Sequence, residues 1–281
     1  MDITKTVDAL SDISDSALHH YGIDSVPFPS VPVLHEIVEL CRSVLFPGYF
    51  GAPIVDGGAR YHIGVSLERI HKLIRRQMMA GLAFTGFDDF QTAATERAQA
   101  FIEQLPALRD ILQTDVVAMY RNDPAAHNLG EVILCYPGMR AITNYRIAHA
   151  MEVLGIPLIP RMITELAHSE TGIDIHPGAT IGHSFAIDHG TGVVIGATAI
   201  LGHNVTLYQG VTLGAKNFPQ EEDGSLVKGI ARHPILGDNV VVYANATILG
   251  RIHIGNDSTI GGNIWLTHDV PAGTKLFYKQ G

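Results

Sequence analysis

From Ile175 to Thr267 the chain counts in sixes. A branched aliphatic residue opens each unit at Ile175, Ile181, Ile187, Ile195, Leu201, Leu207 and Leu213, and the count resumes at Leu236, Val242, Ile248, Ile254, Ile260 and Leu266. Glycine follows at once in several units, as in Ile181-Gly182, Leu201-Gly202 and Ile254-Gly255. A period of six fits neither an amphipathic helix nor a strictly alternating strand. It fits a solenoid of coils, each made of three short strands joined by tight turns, with one aliphatic per strand pointing inward. The small residues sit where the backbone turns and where a larger side chain would crowd the next coil. A β-sandwich is the competing arrangement, and two runs locked in the same phase argue against it.

Upstream the period is helical. Leu34, Ile37, Val38, Cys41, Val44 and Leu45 form one stripe, opened by Ser30 with Pro32 in the first turn and closed by Pro47-Gly48. Leu67, Ile70, Ile74, Met78 and Leu82 form a second behind Ser66 as cap, and 48–64 reads as a loop. Phe101, Leu105, Leu108, Leu112, Val116 and Met119 form a third, which Pro106 is expected to break. Met139, Ile142, Ile147, Met151 and Leu154 form a fourth, followed by a short segment from Pro160 to His168. The fold class is therefore α + β: a helical N-terminal domain over 1–170, then a left-handed parallel β-helix over 171–281. The helices are placed to cap the first coil, whose open edge would otherwise invite aggregation.

Two departures from the period mark where chemistry is built. Eight residues separate Ile187 from Ile195, so two extra residues bulge around Asp188-His189-Gly190-Thr191-Gly192. Between Leu213 and Leu236 the segment 214–235 leaves the coil and returns, carrying Lys216, Lys228, Arg232 and His233. His189 is the candidate general base, since an imidazole accepts and returns a proton near neutrality. Asp174, fifteen residues earlier, is expected on the neighbouring rung as its orienting partner, while Asp188 suits substrate contact. Arg232 is suited to bidentate capture of a carboxylate, with Pro234 stiffening the return. His176, His183, His203 and His253 also lie on the solenoid; zinc held between subunits is an alternative that their spacing does not select.

A net charge of −9 over 281 residues argues against a nucleic-acid or anionic-membrane partner. No apolar run is long enough to span a bilayer. Cys41 and Cys135 form no disulfide framework. With a start lacking a basic-then-apolar signal, this implies a reduced, cytoplasmic protein. His19 and His20 are expected to be exposed.

Taken together, Asp123-Pro124-Ala125, Asn144 to His149, Asp174-Ile175-His176-Pro177, Asp188 to Gly192, Gln209 to Gly214 and Arg232-His233-Pro234 resemble the serine acetyltransferases among the hexapeptide-repeat acyltransferases. The resemblance implies acetyl transfer from acetyl-CoA to the hydroxyl of L-serine, with no metal. It implies His189 as base with Asp174 beside it, Asp123 and Asp188 at the amino acid, and Arg232 and His233 at its carboxylate and side-chain end. The thioester is expected near Gly214, Ala215, Lys216, Ala244 and Gly262. Family members are trimers with sites between subunits, often doubled to hexamers. Departures from the family pattern are the length of 214–235, Ala215 for a frequent glycine, Thr259 for a lysine, and the ending at 274–281. In the family a terminal isoleucine enters O-acetylserine sulfhydrylase; Gly281 has no side chain for that pocket, so no stable complex is expected. Transfer to another acceptor (homoserine, a sugar, another amino acid), a metal-dependent lyase and a non-catalytic scaffold are the alternatives.

Overall fold

A computed structural model describes residues 3–12, 26–54, 57–217 and 219–277. His19, His20 and residues 278–281 lie outside the described residues. Among the described residues seven helices precede the solenoid: α1 (Thr4–Ser11), α2 (Val31–Leu45), α3 (Ala59–Phe84), α4 (Phe90–Asn122), α5 (Leu129–Cys135), α6 (Pro137–Val153) and α7 (Ile159–Thr171). α2, α6 and α7 fall on the expected stripes. α3 begins seven residues before the expected cap, and Ser66 is buried inside it. α4 runs unbroken through Pro106. Pro106 lies on the water-facing side, where solvent can take the carbonyl its ring leaves unpaired, while Phe101, Leu105 and Leu112 hold both halves in the core. α1 and α5 were not legible in the hydrophobic pattern.

Among the described residues the solenoid has fourteen strands of two or three residues, and they pair with one another in parallel. Five of them form a first sheet in the order β1 (Asp174–Ile175), β4 (Val194–Ile195), β7 (Thr212–Gly214), β10 (Thr247–Leu249) and β13 (Trp265–Leu266). The second sheet holds β2 (Thr180–Ile181), β5 (Ile200–Leu201), β8 (Ile235–Leu236) and β11 (His253–Ile254). The third holds β3 (Ala186–Ile187), β6 (Thr206–Leu207), β9 (Val241–Val242), β12 (Thr259–Ile260) and β14 (Lys275–Leu276). Each coil visits the three sheets in turn, which is the left-handed parallel β-helix. All thirteen unit-opening aliphatics are at most 5% exposed. Each strand has its one inward aliphatic, as expected. The residue two before most of these aliphatics, just outside the strand, is also buried, as at Ala179, Phe185, Val193, Ala199, Val205, Val211, Val240 and Ala246.

The helices cap the first coil by chemistry as well as by covering it. Its outer carbonyls accept from α6: Tyr145 Oη donates to Ala179 O at 2.6 Å, and Arg146 donates to Ile181 O and Gly182 O. Its amides donate to α4, Ser184 N to Thr114 Oγ1 and Phe185 N to Asp115 Oδ1, both at 2.8 Å. Asp115 and Arg146 pair with each other at 3.1 Å, and both are buried. A sheet edge is thus satisfied by side chains instead of another strand. Gly138 lets α6 approach: a Cβ there would stand 2.5 Å from Ile187 O. One apolar core runs through helices and solenoid alike.

Candidate active site

Both departures from the period are where the site groups gather, and they gather at different corners. At the corner between the third and first sheets, coil one carries two extra residues. Asp188 N bonds Leu207 O like any strand residue, whereas His189 projects outward and Gly190, buried against Ile173 and Ile187, turns its N back onto Asp188 O at 2.7 Å. His189 takes φ 57°, the left-handed region. Its side chain is 72% exposed, with Nε2 3.9 Å from Asp188 Oδ1. Asp123, at the end of α4, comes to the same corner. Its carboxylate accepts from Ala125 N at 2.8 Å and from the Tyr136 hydroxyl. Those two donors, the tyrosine first, hold Asp123 below the usual carboxylate range, and the carboxylate in turn pushes the Tyr136 phenol up. Met119, Asn122, Asp123, Tyr136, Ala186, Ile187 and Asp188 line a recess there. Tyr136 had no sequence signal; it is aimed by the start of α6.

Asp174 is placed differently from expectation. The two-residue bulge lengthens coil one, so Asp174 pairs with Val194. Asp174 and His189 therefore open and close the same coil instead of occupying neighbouring rungs. Its carboxylate accepts from Arg161 of α7 at 3.1 Å, and among the described residues no hydrogen bond joins it to His189 within one chain. Arg161 also pairs with Glu165, which contacts His168 Nδ1 at 3.2 Å. Glu165, His168 and Asp174 converge closely enough to hold a cation, and the Arg161 guanidinium supplies that positive charge.

The second gathering lies at the corner between the first and second sheets. Segment 214–235 leaves after β7, forms a small hairpin through the Gln220–Leu226 bridge and returns at β8. Its return is organised by Thr198, which sequence reasoning missed. Thr198 Oγ1 accepts from Arg232 N at 2.9 Å and His233 N at 3.2 Å, and lies 2.8 Å from His233 Nδ1. Arg251 donates to Thr198 O and His233 O from the next coil. The His233 ring lies against Gly196, where any Cβ would collide with it. Because Thr198 N donates to His233 Nδ1, that nitrogen holds a lone pair and the neutral ring carries its proton on Nε2. Burial, then Arg232, His176 and Arg251, pulls its pKa down from 6.5 to about 4.

The ring signals of His233 are therefore expected to titrate near pH 4 by NMR; a midpoint above 6 contradicts this packing. The folded pKa lies below the unfolded one. Stability is thus fully present above pH 6.5 and falls as the pH drops toward 4, by up to ~3 kcal/mol at 1.36 kcal/mol per unit. Carbon and proton shifts of the ring, followed from pH 8 to 3.5, measure the midpoint directly.

The residues expected at the thioester divide in the same way. Ala244 and Gly262 stack on successive coils at the first corner, where a Cβ on Gly262 would lie 3.1 Å from Ala244 O. Gly214, Ala215 and Lys216 are at the second, where Gly250 N donates to Gly214 O at 3.0 Å. Among the described residues no helix is long and apolar enough to cross a membrane.

A parallel β-helix with an exposed imidazole at a corner bulge, carboxylates beside it and a half-buried Arg232 next to a buried His233 at the next corner defines an acyltransferase of the hexapeptide-repeat class. No family model matches the chain. It is 49% identical over 286 residues to the plasmid serine acetyltransferase of Synechococcus elongatus, covering 98% of this chain and 90% of that one. The structure of serine acetyltransferase 1 of Entamoeba histolytica, solved with L-cysteine, superposes with a TM-score of 0.78 at 36% identity, over 95% of this chain and 93% of that one. That of Neisseria gonorrhoeae serine acetyltransferase with serine gives 0.58 at 27% identity, over 88% and 95%. The chain belongs to the serine acetyltransferases. It transfers an acetyl group to the hydroxyl of serine, in the synthesis of cysteine, with acetyl-CoA as co-substrate.

Proposed function

We propose that His189 takes the proton from the serine hydroxyl as it attacks the thioester carbonyl, and that Asp174 orients the base. Asp123 and Asp188 take the ammonium group, and Arg232 and His233 take the carboxylate and side-chain end. Gly214, Ala215, Lys216, Ala244 and Gly262 line the donor groove. An alkoxide is a far better nucleophile than a hydroxyl, so a base within reach is the main requirement. The oxyanion formed on the thioester needs a fixed donor, which a backbone N–H at a glycine-rich corner can supply. The protein acts in the cytoplasm, without a metal, as a homotrimer or a dimer of trimers. The L-cysteine found in the Entamoeba enzyme leads us to propose that cysteine also binds here, at the serine site.

The observation that carries this reading is the division of the site. In one chain the carboxylates and the Arg232-His233 pair stand at opposite ends of the first sheet's strands. About five residues of extended chain, roughly 16 Å at ~3.3 Å each, separate them. Serine is far too short to touch both. A threefold arrangement that sets the first corner of one copy against the second corner of its neighbour completes the site.

Mixing His189→Ala protein with Arg232→Ala protein under conditions that exchange subunits tests it. Each mixed trimer regains one interface with both groups intact, so thiol release from acetyl-CoA and L-serine returns. If both variants are inactive alone and mixing restores nothing although subunits exchange, the site is not shared.

A further inference from the structure

Directly along the solenoid axis from Asp188 stand two tyrosines that the reaction as described does not use. Leu207 pairs with Ile187 above it and Val242 below it, so the residues that follow, Asp188, Tyr208 and Tyr243, form one column on successive coils. The Tyr208 and Tyr243 rings stack with centroids 5.0 Å apart and planes 16° from parallel. Tyr243 is 39% exposed, and among the described residues neither phenol hydroxyl has a hydrogen-bond partner in the protein. The column turns at Gln209 and Ala244 into the corner where Ala244 and Gly262 stack. Burial raises the Tyr208 phenol, with Tyr243, Asp188 and Asp123 adding to the shift.

From the sequence alone each tyrosine is an ordinary outward-facing residue of a strand end. Stacked, they make a flat apolar strip edged by two hydroxyls, beginning one coil from the carboxylates and running away from them. Serine is too small to reach the second ring. An acyl donor is not, because its carbonyl must sit at His189 while the rest of the molecule leaves along the solenoid. The pantetheine arm alternates methylene pairs with amides, and such a chain matches a strip of aromatic faces with hydroxyl donors and acceptors at the rim.

We propose that Tyr208 and Tyr243 are positioning residues for the acyl donor, forming the platform on which its pantetheine arm lies. This rests on the acetyl-transfer reading of the site, and two donors of different length separate the two questions. S-acetyl-N-acetylcysteamine ends about one coil past the thioester, so it reaches Tyr208 but not Tyr243. S-acetylpantetheine and acetyl-CoA pass both.

The test is steady-state kinetics of Tyr243→Ala and Tyr243→Phe with all three donors, with the oligomeric state measured by light scattering. Tyr243→Ala raises KM for acetyl-CoA and S-acetylpantetheine by about tenfold, equivalent to ~1.4 kcal/mol. KM for serine and for the short thioester stays within twofold, and Tyr243→Phe, which keeps the stacked face, recovers most of the loss. Equal loss with the short thioester, a rise confined to serine, no change with any donor, or a loss that follows dissociation of the oligomer overturns the proposal. Activity of the unaltered enzyme with acetyl-CoA and serine is the separate check on the reaction itself.

Discussion

Replacing His189 with alanine lowers kcat by at least ~100-fold while the protein keeps its fold, because loss of a general base costs 10²–10⁴ in rate. The residue stands outside the coil, 72% exposed, in a bulge whose neighbours Asp188 and Val193 keep their own backbone bonds. Its side chain therefore contributes little packing that could be lost. Its φ of 57° invites a second variant. Asparagine adopts the left-handed region more readily than alanine, so His189→Asn holds the turn while removing the base, and the same loss of rate is expected. Asp174→Ala is expected to cost less, since an orienting group transfers no proton. Circular dichroism and steady-state rates measured together decide the matter: near-normal turnover in His189→Asn removes this residue from the mechanism.

The largest effect on stability is expected at Asp115, far from the chemistry. Asp115 and Arg146 are 0% and 4% exposed. Arg146 is held by both carboxylate oxygens at 3.1 and 3.2 Å and by the carbonyls of Ile181 and Gly182. Asp115→Ala leaves a guanidinium buried with two carbonyls and no counter-charge, and strands the Phe185 amide as well. Removing one partner of a buried pair costs about 3–5 kcal/mol. Denaturant unfolding is the measurement, and a loss below about 1 kcal/mol shows that the pair is not what joins α4 and α6 to the first coil. The double replacement Asp115→Leu with Arg146→Met is expected to lose less than Asp115→Ala alone, since no unpaired charge remains.

The period of six was sufficient to specify the solenoid, and the reason is that each unit is one strand and one turn. Local order and global fold then coincide. The inward positions, the bulge at Asp188 to Gly192 and the excursion over 214–235 are all departures from or members of that one repeat, so they are visible in a linear chain. Helix boundaries were less legible: Pro106 breaks an isolated helix, and only packing of Phe101, Leu105 and Leu112 against the core carries α4 through it. Thr198, Tyr136 and Arg161 carried no signal, because each acts through a partner 34, 13 and 13 residues away.

The same limit applies to how the site is assembled. Sequence named His189, Asp174, Asp123, Asp188, Arg232 and His233 by residue type and resemblance. Counting placed Asp174 and His189 on neighbouring rungs, whereas coil one runs from Asp174 to its partner Val194 and holds both residues. Which corner each residue occupies depends on where the coil turns, and that is decided by φ at His189, Gly190 and Gly192 and by backbone bonds between coils. The repeat determined that there is a β-helix. Only the closed coils decided that the acidic groups and the Arg232-His233 pair stand at opposite ends of the first sheet's strands, because sequence distance along a solenoid says little about which corner a side chain leaves from.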